Sequence, residues 1–184
     1  MSTEPGETAR PIADGRVARL FGLRGDRWLR HANPWSVWTR FAVLPLLAIA
    51  AWSRVWIGWW ALVAALVVVA FTVVNPLLFP PPRSTRNWAS KAVLGERVGA
   101  DPAAHPVPGQ YGTSRVPAVT AGCQTFGVVA LALGVLWLDL LLAVTGLVLC
   151  QCAKAWYLDR AVLLFEDVKH RDPVVAAWEY GEDR

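Results

Sequence analysis

Apolar positions in this chain run in long blocks rather than alternating. From Phe41 to Val74 the only charge is Arg54, and from Val116 to Ala153 the only charge is Asp139. An amphipathic surface helix repeats a polar position every turn, and these blocks do not. Each block is long enough for two crossings of a hydrocarbon layer about 30 Å thick, at about 20 residues per crossing. The pattern predicts four spans, over Pro34–Ser53, Val55–Val74, Pro117–Leu136 and Leu140–Trp156. Asn33 is placed to cap the first of them, with Pro34 at the first helical position, where a missing N–H costs nothing. Pro45 is expected to kink that span or shift its packing. Asn75-Pro76 and then Pro80-Pro81-Pro82 are expected to stop the second span and stiffen its exit. Gly122 and Gly127 are placed to let the third span approach a neighbour closely. Helical periodicity outlasts the fourth span, so its last turns must stand clear of the membrane or bend along it, up to Asp172-Pro173.

Between the two apolar blocks lies a segment of mixed character. Ser84 is expected to cap a short amphipathic helix over Thr85–Leu94, ended by Gly95, with Trp88 and Val93 laid on the membrane or on the bundle. Gly99–Gly112 reads as irregular loop. Residues 1–15 read as disordered. Arg16–Arg30 interleaves arginine with apolar residues, either resting on an anionic leaflet or forming a loose basic tail. The domain reading is a basic tail over 1–30, a four-span membrane domain over 31–172, and a tail over 173–184.

Composition agrees with this reading: 55% of the 184 residues are hydrophobic and 17% charged. The formal net charge is +4, and the arginines flank the spans. Under the positive-inside rule, four spans place both termini and the central segment in the cytoplasm. The fold expected is therefore all-α, a polytopic four-helix membrane bundle with cytoplasmic termini and an amphipathic central loop, sited in the cell membrane. Lipid is the expected partner of this surface, and nucleic acid is not, since no recognised binding pattern accompanies the arginines. Trp35 and Trp38 mark the inner interface; Trp52, Trp56, Trp59 and Trp60 mark the outer one. Cys123, Cys150 and Cys152 fall inside spans without a CxxC and read as buried apolar thiols.

Residues with chemical capacity collect at the cytoplasmic side. Asp159 and Glu166 are seven apart and share a helical face. Near a membrane boundary Asp159 needs a partner, expected from Arg40, Arg83 or Arg86 on another helix. Such a pair either clamps the bundle or binds a headgroup, with one carboxylate as base. His31 has the intrinsic pKa of a general base and is equally at home as a solvated interfacial residue. The candidate catalytic set is thus His31, Asp159 and Glu166. The candidate substrate-binding set is Asn33, Arg40, Asn75, Arg83, Asn87 and Arg160. No histidine lies within a span, which argues against haem or di-iron ligation, and no metal or cofactor is named. Nucleotide, dinucleotide, zinc-protease and serine-hydrolase motifs are also missing.

The stretches HANPWSVWTR (31–40), NPLLFPPP (75–82), NWAS (87–90), LGER (94–97) and WYLDR (156–160) together resemble an uncharacterised family of small multi-pass membrane proteins from bacteria and archaea, a domain of unknown function. The resemblance covers residues 27–172. Family members carry a tryptophan after Glu-Arg-Val, where this chain has Gly99. The resemblance implies a four-helix membrane domain and no reaction. Two functional readings follow. One is a membrane-embedded enzyme acting on an amphiphilic or lipid-like substrate at the cytoplasmic interface. The other is a non-catalytic accessory or assembly subunit that uses the same residues to contact a membrane protein partner. A transporter is weaker, because no charge lies at mid-bilayer and no inverted repeat is evident.

Overall fold

The computed structural model describes residues 26–181, and the expectations for residues 1–25 and 182–184 lie outside them. In chain order the helices are α1 (Asp26–His31), α2 (Pro34–Trp52), α3 (Arg54–Ile57), α4 (Trp60–Leu78), α5 (Trp88–Ala100), α6 (Gly109–Gly112), α7 (Val116–Trp137), α8 (Leu140–Lys169) and α9 (Pro173–Ala176). The described residues are all-α, with four helical stretches long and apolar enough to cross a membrane. The chain is a multi-pass membrane protein.

The four spans pair in sequence order. α2 packs along α4, and α7 packs along α8. The α7–α8 hairpin closes backbone to backbone. A Cβ on Gly146 would stand 2.4 Å from the Leu131 amide nitrogen, and one on Gly134 would stand 2.3 Å from that of Ala143. Gly127 meets Cys150 and Gly146 in the same way, as its sequence position predicts, while Gly122 faces open space. Close approach of this kind substitutes for the hydrophobic drive that lipid removes. Leu138 turns the hairpin with φ 60°, and Asp139 caps α8 by accepting from the Leu142 amide.

Two polar devices join the hairpins. At the end where α7 turns into α8, Arg54 reaches across to donate to the carbonyls of Val135 (2.6 Å) and Leu136 (2.9 Å), at the C-terminus of α7. A cation there also meets the negative end of the helix dipole. Further along α2 toward its N-terminus, Pro45 has no N–H to give the carbonyl four residues back, that of Phe41. Gln151 of α8 supplies the missing bond, donating from Nε2 at 2.6 Å. In lipid a freed carbonyl has no water to turn to, so the proline on α2 and the glutamine on α8 act as a pair.

Several boundaries differ from the sequence reading. α4 begins at Trp60, five residues late, and runs through Asn75 and Pro76 to Leu78. Pro76 is tolerated because it sits in the last turns, and Asn75 is enclosed at 0% exposure. It accepts from Ser36 Oγ (2.7 Å) and donates to Thr39 Oγ1 (2.8 Å), pinning α4 to α2. The central helix is capped by Asn87, not Ser84, and Gly95 does not end it. Gly95 instead lets α5 cross α8 in backbone contact, since a Cβ there would lie 1.8 Å from the Ala161 carbonyl oxygen.

Of the two placements expected for it, α5 takes the one on the bundle. Ala89, Ser90, Ala92, Val93, Leu94, Gly95, Val98 and Gly99 are all buried. At about 1.5 Å per residue, the 30 residues of α8 span about 45 Å, more than the hydrocarbon core. α5 covers its C-terminal third, forming a core of Leu94, Val98, Leu164, Phe165, Val168 and Val175. Trp28 of α1 joins a second core with Ala32, Val37, Ala89 and Val93, so the segment expected as tail is folded from Asp26 onward.

The C-terminal segment is likewise folded rather than trailing. Asp172 caps α9 by accepting from the amides of Val174 and Val175. The chain then returns to the second span's exit. Thr85 N donates to the Tyr180 carbonyl (3.0 Å), Thr85 Oγ1 to the Trp178 carbonyl (2.8 Å), and Tyr180 OH to the Pro82 carbonyl (2.9 Å). Arg97 lies 3.9 Å over the Trp178 ring. We refer to residues 173–181 as the strap. Of the cysteines, Cys150 is buried as expected, while Cys152 is exposed on the apolar surface.

Candidate functional site

The exit of the second span and the entry of the first enclose a groove of about 510 Å³. Asn33, Pro34 and Trp35 form one wall; Pro80 to Ser84, Arg86 and Asn87 form the other. Local sequence explains both walls. Three consecutive prolines hold the exit extended, so it cannot collapse onto the membrane as helix. Asn33 bridges the walls: its Oδ1 caps α2 through the Trp35 amide and its Nδ2 donates to the Pro80 carbonyl, both at 2.9 Å. Asn87 does the same for α5. Its Oδ1 accepts from the Ser90 amide (2.9 Å), and its Nδ2 donates to the Ser84 carbonyl (3.0 Å) and to Ser90 Oγ (2.9 Å). Ser90 Oγ in turn donates to the Ala32 carbonyl (2.6 Å), locking α5 against the start of α2.

The two helices that begin beside the groove are thus capped by their own asparagines: the Trp35 and Ser90 amides are bonded, and Pro34 has no N–H to offer. Arg83 and Arg86 line the groove, and among the described residues no Asp or Glu does. Arg83 is exposed and its guanidinium has no partner among the described residues. Trp35, 71% exposed, sets the groove at the depth where tryptophans anchor to headgroups.

Of the residues expected to bind substrate, Asn33, Arg83 and Asn87 meet here, although the two asparagines use their side chains to hold the walls. The other three are elsewhere. Asn75 is enclosed in the α2–α4 clamp. Arg160 lines a smaller cleft with Glu96, Tyr111 and Tyr157. Arg40 is the centre of a buried charge cluster. It donates from Nε to the Ser36 carbonyl (3.0 Å), from Nη2 to the His31 carbonyl (3.0 Å), and from Nη1 to His31 Nε2.

That last contact fixes the state of His31. A guanidinium only donates, so Nε2 accepts and the ring proton sits on Nδ1. Burial, and then the Arg40 charge, push the His31 pKa down to about 3, so the ring is neutral at physiological pH. Nδ1 is buried without a hydrogen-bond partner among the described residues.

The three residues expected to supply acid–base chemistry do not meet. Glu166 closes a four-membered ion cluster with Lys91 (2.7 Å), Lys169 (2.6 Å) and, through both lysines, Glu179. Among the described residues Asp159 finds no arginine on another helix. Its neighbour Arg160 lies 3.4 Å from it, and both side chains are about half exposed. The two carboxylates share a face but sit two turns apart along α8: Glu166 lies level with Lys91 of α5, and Asp159 pairs with its own neighbour instead.

Sequence reasoning gave no role to Glu96. Glu96, on α5, lies near Arg40 of α2 and Lys154 of α8. Burial pushes its pKa up, and those two cations pull against that shift. Lys154 also packs 4.4 Å over the Phe41 ring and donates to the Arg40 carbonyl at 3.4 Å. The signal available was the small-residue spacing Ala89, Ala92, Gly95, Gly99, which marks a helix face for close packing and puts Glu96 beside it. Among the described residues no group of three or more His, Cys, Asp or Glu is placed to hold a metal ion.

The chain matches the profile of a family of unknown function, DUF6653, over residues 12–180. It belongs to that family. The match spans all the described helices, the groove and most of the strap, so these are parts of one family domain. No curated protein and no solved structure matches the chain.

Proposed function

We propose that the chain is a four-helix bundle of the cell membrane, with both termini and α5 in the cytoplasm, that holds an amphiphilic molecule at the cytoplasmic interface with its headgroup in the groove. The observation that carries this is the meeting of Asn33, Arg83 and Asn87, far apart in sequence, around one basic groove at tryptophan depth. The exposed apolar residues beside it, Trp38, Leu77 and Leu78 among them, offer a surface for the tails. The arginine-rich ends support the orientation. Asn33 and Asn87 position the walls, and Arg83 contacts the ligand.

Two measurements test the reading. Single cysteines at Arg83 and Ala104, in a chain freed of its own cysteines, are expected to react with a membrane-impermeant thiol reagent only when the cytoplasmic face is open to it. Reaction from the outside would overturn the orientation. A photoreactive lipid with its reactive group near the headgroup is expected to crosslink at residues 33–35 and 80–87. Labelling spread evenly over the apolar surface would overturn the groove.

The second reading is a non-catalytic accessory subunit. It is favoured by the enclosure of Asn75 and the closed ion cluster around Glu166, which commit two of the expected site residues to the protein's own packing.

A further inference from the structure

We infer that the cleft between α5, α7 and α8 is a second site, separate from the groove, that takes the hydroxyl headgroup of a neutral amphiphile between Glu96 and Tyr157. The cleft shares no lining residue with the groove, so it stands independently of the reading above. Two free polar groups carry the inference. The carboxyl oxygens of Glu96 and the phenol of Tyr157 have no hydrogen-bond or ion-pair partner among the described residues, and they are not sealed into the core. Both residues line the cleft. The cations near Glu96 do not fill the gap, because they are committed elsewhere. Arg40 donates to the carbonyls of Ser36 and His31, and Lys154 to the Arg40 carbonyl beside the Phe41 ring. The other polar groups of the wall are engaged too: Tyr111 donates to Asp167 (2.6 Å), Ser114 accepts from the Val116 amide (3.2 Å), and Arg160 pairs with Asp159. A carboxyl and a phenol set back from solvent without partners are costly until something supplies the missing hydrogen bonds.

Charge, size and lining narrow what that is. Glu96 accepts and Tyr157 donates, so one hydroxyl between them donates to the carboxylate and accepts from the phenol. An anion would meet the Glu96 charge. A cation would meet Arg40, Lys154 and, in the cleft wall, Arg160. The cavity volume of about 40 Å³ holds a hydroxyl and the carbon that bears it, and excludes a phosphocholine or a sugar. The remaining wall is apolar, with Val116, Pro117, Ala161 and Leu164, so it sheds water and accepts a hydrocarbon chain. Trp156, next to Tyr157 in sequence and 44% exposed, puts the cleft at headgroup depth, where a membrane alcohol presents its hydroxyl.

The test uses the full chain in detergent, read by native mass spectrometry for bound lipid and by photo-crosslinking for location. The probes are diacylglycerol, the same lipid with its hydroxyl methylated, phosphatidic acid and a long-chain amine, with glycerol as competitor. Diacylglycerol is expected to bind at least about tenfold more tightly than its methyl ether, the difference a hydrogen bond to a charged group makes. Its crosslinks are expected within residues 95–99, 114–117 and 157–161. Y157F is expected to weaken binding by about fivefold or more while leaving the melting temperature unchanged, because that hydroxyl bonds nothing among the described residues. E96Q keeps the shape and removes the charge, so it is expected to weaken diacylglycerol and to admit more phosphatidic acid. R30A, exposed on α1 and outside both sites, is expected to change neither. Equal binding of diacylglycerol and its ether, or a preference unchanged in both Y157F and E96Q, would overturn the inference. So would tighter binding of the amine or of phosphatidic acid in the cleft, which would make the site ionic. Crosslinks confined to residues 33–35 and 80–87 would overturn this site and leave the groove reading standing. Displacement of diacylglycerol by glycerol at equal concentration would overturn the membrane source and make the ligand a soluble alcohol.

Discussion

A carbonyl freed by a proline shows how strictly lipid enforces hydrogen bonding at single residues. Pro45 leaves the Phe41 carbonyl without its helical donor, and Gln151 fills the gap from another span. Gln151→Leu is therefore expected to destabilise the protein by about 1 kcal/mol, as interhelical hydrogen bonds in membranes do. The cost should vanish in a Pro45→Ala background, where residue 45 regains its N–H. Denaturant unfolding of the four combinations in detergent checks the coupling, and additive effects would refute it.

His31 gives a second expectation at this scale, with a definite sign. Its pKa falls from 6.5 in the free residue to about 3 in the fold, so below 6.5 the unfolded chain takes up a proton that the folded chain refuses. Stability is then fully present above pH 6.5 and declines as pH falls toward 3. Glu96 works in the opposite direction: its raised pKa erodes stability as pH climbs above its ordinary value of 4.5. Melting temperatures of wild type and His31→Gln should therefore diverge on acidification, with the variant losing less. Parallel curves would mean that His31 titrates normally.

Among the elements, α5 departs most from its sequence appearance. It carries Lys91, Glu96 and Arg97 and reads as an amphipathic helix, yet most of its residues are buried. The physical cause lies in α8, which outruns the hydrocarbon and needs a protein partner over its C-terminal third. Gly95 makes the contact possible. Gly95→Ala drives a methyl into the Ala161 carbonyl, backbone against backbone, and is expected to cost at least about 3 kcal/mol or to prevent folding. Gly122→Ala meets nothing within 4 Å and should change stability by less than about 1 kcal/mol, despite its similar sequence setting. Expression and thermal melts of the two variants separate them, and equal behaviour would show that α5 does not cross α8 at Gly95.

Across the whole molecule, the strap ties the parts together. It covers Leu164, Phe165 and Val168 with Val175, joins the ion cluster through Glu179, and buttresses the groove wall through Thr85 and Tyr180. His105 fixes its root by hydrogen-bonding Asp172 at 2.8 Å, which holds that carboxyl below the usual range. Ending the chain at Asp172 is expected to lower the melting temperature by exposing this core, with about 1.5–3 kcal/mol at stake for Val175 alone. The truncated protein should also become open to proteolysis between Pro82 and Asn87, because that wall loses its bonds. Retention of wild-type stability and protease resistance would mean that the strap is dispensable.

How far these features could be read from sequence follows the range of the force involved. The four apolar stretches, the Asn33 cap before Pro34 and the close approach at Gly127 were legible, because hydrophobic length, capping and helix-face spacing are local properties. Asn33, Arg83 and Asn87 were legible as candidates because motif residues at one membrane depth are few. Their meeting in a groove was not, nor was the diversion of Asn75 and Glu166 into packing, because those outcomes depend on the rotation of each helix about its own axis. The same rotation brings Glu96, Arg40 and Lys154 together from three separate elements. Residue chemistry and order along the chain thus determined that this is an all-α multi-pass membrane protein with four helical stretches long and apolar enough to span. Only the packing of α5 onto the overlong α8, a contact between segments with no local signature in common, decided which charges face each other and which line open space.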